Sequence, residues 1–206
     1  MKIIEVENVS KSFSDRKVLD SVSFTIEKGT ICGLIGRNGS GKTVLMKCIC
    51  GFLTPDSGSI RIRGRLQNRK QDVSGNMGII IESPGFLENE SAYGNLLYLA
   101  RLRGLIGKTE VKEAIRRVGL SPDDRKKVKK YSMGMRQRLG IAQAIMEKPD
   151  ILLLDEPMNG LDEQGVTDMR TLFLSLKENG VTILLASHNT EDIALLCDNV
   201  YRIDGG

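Results

Sequence analysis

The chain has 206 residues, 40% hydrophobic and 27% charged, with a net charge of +4, which allows one sizeable α/β core with a smaller lobe but not two full domains. Aromatic residues make up 4% and Trp is absent, which argues against a stacking surface for single-stranded nucleic acid. No apolar run approaches a membrane span, and Met1-Lys2-Ile3-Ile4-Glu5 lacks a signal-peptide core; with Cys32, Cys48, Cys50 and Cys197 at neither metal-ligand nor disulfide spacing, a cytoplasmic protein with reduced thiols is expected.

Periodicity predicts strands over 3–9, 18–26 and 30–35. Directly after the third comes Gly36-Arg37-Asn38-Gly39-Ser40-Gly41-Lys42-Thr43, followed by a helix-like run over 44–50. Strand, glycine loop and helix in this order are the context of a phosphate-binding P-loop, so the stretch reads as a nucleoside triphosphate site. The glycines let the backbone N–H groups of 36–43 turn inward around phosphate, and the helix N-terminus adds its positive end. Lys42 is placed for the β- and γ-phosphates and the Thr43 hydroxyl for Mg²⁺.

After the turn Thr54-Pro55-Asp56-Ser57-Gly58 a strand is expected over 59–63, then a short apolar strand over 77–81 that ends at Glu82 and the breaker Ser83-Pro84-Gly85. The character then turns helical over 91–105, 109–118 with Thr109 as N-cap, and 133–147, with Gly107, Gly119 and Pro149 as terminators. Arg125-Lys126-Lys127-Val128-Lys129-Lys130 reads as a solvated surface, with a phosphate-rich partner or anionic lipid as the alternative. From 151–154 onward strand and helix alternate again, through 163–178, 181–186, 191–197 and 200–203. The pattern predicts one domain with a mostly parallel sheet flanked by helices and an N-terminal antiparallel β subdomain. Residues 1–82 and 148–206 form its core and 83–147 an inserted α-helical subdomain.

Ligands of open parallel sheets sit beyond the carboxyl ends of the strands. Four polar groups fall there: the P-loop, Glu82, Asp155 with Glu156, and Ser187 with His188. Asp155 closes the apolar run Ile151-Leu152-Leu153-Leu154 and suits Mg²⁺ held through its water shell. Glu156 is placed to orient or deprotonate an attacking water, and His188, the only histidine, to bond the γ-phosphate or that water. Tyr131-Ser132-Met133-Gly134-Met135-Arg136-Gln137-Arg138 opens a helix with Ser132 as N-cap, an arrangement suited to an anion.

In this order the motifs resemble those of ATP-binding cassette (ABC) ATPases over nearly the whole chain. Ser132, Gly134, Gln137 and Arg138 match the family signature, LSGGQ followed by x-Q-R, whereas Tyr131, Met133 and Met135 depart from its Leu, first Gly and first Gln. Asn159-Gly160-Leu161-Asp162 resembles the D-loop, His188 the switch histidine and Phe13 the aromatic that stacks on adenine, with a core Phe as the alternative. The resemblance implies a P-loop NTPase fold, ATP and Mg²⁺ as ligands, and two cassettes meeting head to tail so that Ser132 and Gly134 act in trans. It further implies a separate transmembrane permease, a place on the inner face of the cell membrane, and no direct nucleic-acid contact. Glu82 stands where the family has Gln; a carboxylate there either binds Mg²⁺ more strongly or repels the γ-phosphate. With this signature, Ile80-Ile81-Glu82-Ser83-Pro84-Gly85-Phe86 is similar to the cassettes of bacterial peptide-antibiotic (lantibiotic) immunity exporters. Phe86, Leu87, Tyr93, Leu96 and Leu97 are candidates for an apolar groove that takes a permease helix, or for the insertion's own core.

The expected function is therefore ATP hydrolysis that powers a separate transmembrane subunit, in export of a drug or antimicrobial peptide. The competing reading is a soluble single-cassette ATPase acting in assembly or on nucleic acid or ribosomes. The chain lacks the coiled-coil insertion of chromosome and repair members and the second cassette of translation members. With the sequence ending soon after the last expected strand, no regulatory extension is expected.

Overall fold

The computed structural model describes residues 1–67, 76–82 and 85–204. In chain order the strands are β1 (Lys2–Phe13), β2 (Arg16–Glu27), β3 (Ile31–Ile35), β4 (Ser57–Ile62), β5 (Arg65–Leu66), β6 (Met77–Ile80), β7 (Ile151–Asp155), β8 (Thr182–Ala186) and β9 (Asn199–Arg202). The helices are α1 (Lys42–Ile49), α2 (Ala92–Arg103), α3 (Lys108–Arg117), α4 (Met133–Ile145), α5 (Glu163–Glu178) and α6 (Thr190–Leu196), with a 3-10 turn at Val128–Lys130. An antiparallel sheet runs β2-β1-β4-β5, and a parallel sheet runs β6-β7-β8-β3-β9. Helices α2, α3 and α4 all fall between the neighbouring strands β6 and β7, as an inserted helical lobe requires. Ser83 and Pro84 of the expected breaker lie outside the described residues.

The central strands β7 and β8 read as apolar runs because both faces of the sheet are covered there, whereas the edge strand β9 is largely exposed. The side chains of the parallel sheet divide with period 2. Ile31, Leu152, Leu154, Ile183 and Leu185 join the core beneath the helical lobe and α5. Cys32, Leu34, Ile151, Leu153, Leu184 and Ala186 join the second core, with α1 and the antiparallel sheet.

One expectation is corrected. Helix α3 is capped by Gly107, not Thr109: the Gly107 amide donates to Glu110 Oε2 at 2.9 Å, so the carboxylate reaches back and the helix starts one residue before Thr109. Of the two readings left open for these apolar residues, Leu96 takes the insertion's core, being fully buried, whereas Leu87 is 51% exposed. The two-residue β5 and the 3-10 turn were not legible, being too short to show a period.

Candidate active site

The P-loop enters α1 through Gly41, whose φ of 101° is the left-handed conformation that favours glycine. A Cβ there would also lie 2.9 Å from the Val18 carbonyl oxygen, so neither backbone nor space admits a side chain. At Gly36 a Cβ would lie 2.2 Å from the Ile203 carbonyl oxygen. No acidic residue occupies the first turn of α1, which leaves its positive end for an anion. Lys42 is buried, and its Nζ donates to the carbonyls of Gly36 at 2.8 Å and Arg37 at 3.2 Å, holding the loop around the ammonium group. The Ser40 hydroxyl is buried with no hydrogen-bond partner among the described residues.

The four strand ends converge as the sequence predicts, since β6, β7, β8 and β3 are parallel neighbours. Thr43 Oγ1 donates to Asp155 Oδ2 at 2.5 Å, tying the P-loop helix to β7. Glu156 has φ 48°, a left-handed conformation that costs a non-glycine residue about 1 kcal/mol. It is held there by its amide, which donates to the Ala186 carbonyl at 2.9 Å, and by Gln137 Nε2 of α4, which donates to the Pro157 carbonyl at 2.9 Å. Glu156 Oε2 lies 2.9 Å from His188 Nδ1. A carboxylate beside an imidazole, at the mouth of a phosphate loop, can take a proton from water and hold its own orientation.

Asn38, Lys42, Thr43, Asp155 and Glu156 share a cleft of about 520 Å³ with Met133 and Gln137. A larger hollow of about 740 Å³ lies on the other side of the loop, but Lys42, Thr43, Asp155 and Glu156 do not line it. Lys42, Thr43, Asp155 and Glu156 therefore belong to the smaller cleft, whereas His188 lines the larger hollow.

Ser132 caps α4, accepting from the Met135 amide at 3.2 Å. A Cβ on Gly134 would come 2.8 Å from the Gly160 carbonyl oxygen, and one on Gly160 would meet the Met133 side chain at 2.7 Å. The opening of α4 thus lies directly on the Asn159-Gly160 loop. Asp162 ends that loop as the N-cap of α5, accepting from the Gly165 amide at 2.8 Å. Phe13 is not a core residue: it sits at the β1–β2 turn, 46% exposed, with Lys11 Nζ 5.6 Å from its ring centre.

Glu82 lines the cleft and shares the left-handed backbone of Glu156, with φ 64°. Its carboxylate pairs with Lys47 Nζ of α1 at 2.6 Å, a partner that no sequence spacing announced. Among the described residues no three of His, Cys, Asp or Glu gather as metal ligands. What the cleft offers a metal is the Thr43 hydroxyl and the Asp155 carboxylate, a hard oxygen set that suits a cation completing its shell with water and phosphate.

The profile of the ABC transporter family matches residues 19–159. The uncharacterized ABC transporter ATP-binding protein YybJ of Bacillus subtilis is 44% identical over 204 residues, covering 99% of this chain and 94% of its own length. Bacitracin transport ATP-binding protein BcrA of Enterococcus faecalis is 42% identical over 95% of this chain and 64% of its own. Lantibiotic transport ATP-binding protein SrtF of Streptococcus pyogenes is 38% identical over 95% of this chain and 84% of its own. Among solved structures, an ATP-binding subunit of an ABC transporter superposes with a TM-score of 0.86 at 26% identity, over 98% of this chain and 86% of that one.

Proposed function

This chain belongs to the ABC transporter family, and we infer from that membership and from the cleft that it hydrolyses ATP to power an exporter of antimicrobial peptides. The observation that carries the reading is one parallel sheet edge joining the P-loop, the Thr43–Asp155 pair and the Glu156–His188 pair. The relatives named for bacitracin and lantibiotic transport support the cargo class.

In this reading the P-loop amides and Lys42 bind the triphosphate, and Phe13 stacks on the base. Lys42 leaves the Gly36 and Arg37 carbonyls for phosphate oxygens, a gain in charge complementarity. Ser40 gains an acceptor for its buried hydroxyl. Glu156 orients and deprotonates the attacking water while His188 holds the carboxylate in place. Thr43 and Asp155 would hold Mg²⁺, and Glu82 would add a carboxylate if released from Lys47; the metal would supply neutralisation of phosphate charge.

Two cassettes enclose two nucleotides, with Ser132, Gly134 and Asp162 of one facing the P-loop of the other. Closing and reopening of this pair is the work delivered to a transmembrane permease, which holds the chain at the inner membrane face. No helix among the described residues is long and apolar enough to cross a membrane itself, so the transport path belongs to that partner.

The test is affinity purification of a Glu156→Gln variant from native membranes in the presence of ATP. A co-purifying polytopic membrane protein supports the transporter subunit. Soluble partners alone, from a preparation that binds ATP, would move the assignment to an assembly or nucleic-acid ATPase.

A further inference from the structure

His188 reaches Glu156, but little holds His188 itself. Its side chain is 63% exposed, and among the described residues its hydrogen bond is the one to Glu156. Its direction is therefore set by the backbone of 187–189, which leads at once into α6. That helix has seven residues, too few to be stable alone, so where it lies depends on what anchors it. Within the turn, the Asn189 amide donates to Ser187 Oγ at 3.1 Å and the Glu191 amide to Asn189 Oδ1 at 2.9 Å. Both bonds are local, and neither fixes the turn to the rest of the protein.

The first turn is anchored by Arg170, at mid-length on α5, while buried Leu196 seats the far end of the helix. Its Nε and Nη2 donate to Asp192 Oδ1 at 2.9 and 2.6 Å, and its Nη1 donates to Glu191 Oε1 at 3.1 Å. Asp192 lies in the first turn of α6, four residues after His188, and is 2% exposed. A planar guanidinium that engages two neighbouring carboxylates fixes orientation as well as distance, which a single point charge does not. We propose that Arg170 is a positioning residue for the reaction: by fastening the first turn of α6 to α5 it sets the direction of His188 and, through it, of the Glu156 carboxylate. The proposal rests on the reading of Glu156 and His188 given above.

The chain has one histidine, so the imidazole signals of its NMR spectrum belong to His188 alone. The readout is the change in those signals on Glu156→Gln, measured without nucleotide in the parent and in an Arg170→Gln background. If Arg170 directs His188, the change is large in the parent and falls by roughly half or more with Arg170→Gln, while Arg170→Lys, a single point charge, restores only part of it. In steady-state turnover, Arg170→Gln lowers kcat by at most about fivefold, the loss expected for removing the His188 imidazole itself, with KM for ATP within about twofold, because alignment rather than binding is lost. An undiminished response of His188 in Arg170→Gln overturns the proposal and leaves Arg170 a stabilising residue only. If circular dichroism shows that Arg170→Gln does not fold, Asp192→Ala removes the acceptor from the other side of the same pair and is read by the same two outcomes. The spectrum needs no ATP, so failure of the ATPase reading shows separately, as no turnover in the parent.

Discussion

Glu156→Gln is the substitution that bears most directly on the chemistry. Glutamine has the same size and its Oε1 can still accept from His188 Nδ1, which lies 2.9 Å from the present carboxylate, so the backbone at φ 48° and its bond to Ala186 are undisturbed. What is lost is the charge and the capacity to take a proton from water. General-base catalysis contributes about 10²–10⁴ in rate, so kcat is expected to fall by that factor while ATP affinity stays within about twofold. His188→Ala provides the internal control. With the imidazole 63% exposed and Glu156 21% exposed, the bond between them contributes about 1 kcal/mol, or about fivefold in the aligned population of Glu156. A loss of about 10²–10³ instead would mean that His188 also meets developing charge on the phosphate. The assay is phosphate release at saturating ATP, with fluorescent-nucleotide binding measured in parallel. Glu156→Gln retaining kcat within about threefold of the parent, or losing nucleotide binding together with turnover, would refute the assignment of Glu156 as base.

Other expectations concern the metal, acid stability and the thiols. Glu82→Gln preserves ATP binding but shifts the Mg²⁺ dependence of hydrolysis, and Lys47→Met shifts it the opposite way by freeing Glu82; a Mg²⁺ titration unmoved by both removes Glu82 from the metal site. Hydrogen bonds from Arg63 hold the Asp150 carboxyl below its ordinary range, so its stabilisation is present above the unfolded value near 3.8 and is lost as pH falls through the lower folded value. Asp150→Asn therefore lowers stability in urea melts at pH 7, by no more than about 1 kcal/mol because the pair is partly exposed, and the gap closes as pH falls through the lowered folded value. Burial pushes the thiols of Cys32 and Cys197 up to about 12 and that of Cys48 up to about 11, so a disulfide reagent at pH 8 is expected to label them only after denaturation; rapid labelling of the folded chain would contradict the placement.

Much of the site was legible because its groups lie in short local patterns. Gly36 to Thr43 and Ile151 to Glu156 announce both the residue types and the strand ends that carry them, and parallel pairing then brings them together. The span of α5 was legible because Asp162 caps it, its apolar residues recur at helical spacing, and Gly180 follows it. What escaped were contacts between residues far apart in sequence whose local context is ordinary. Lys47 sits in the last turn of a helix, Arg170 mid-helix and Asp192 in a first turn, all common places for charge, and only tertiary geometry joins them to Glu82 and His188. Gln137 was visible as part of a motif, but its grip on the Pro157 carbonyl beside Glu156 was not. The cap of α3 was misplaced because Thr109 looks like a capping residue, whereas Glu110 reached back to Gly107 first.

The alternation along β7 makes consecutive leucines answerable to different machinery. Leu152 and Leu154 face the core that seats the helical lobe with its Ser132–Gly134 opening, while Leu153 faces the core that seats α1 and the phosphate loop. Cavities of similar size at neighbouring positions would thus loosen opposite sides of the nucleotide: one the surface that closes over it, the other the cradle beneath. Damage to a strand that touches no ligand can in this way be felt as two distinct enzymatic defects, sorted only by whether the residue number is odd or even.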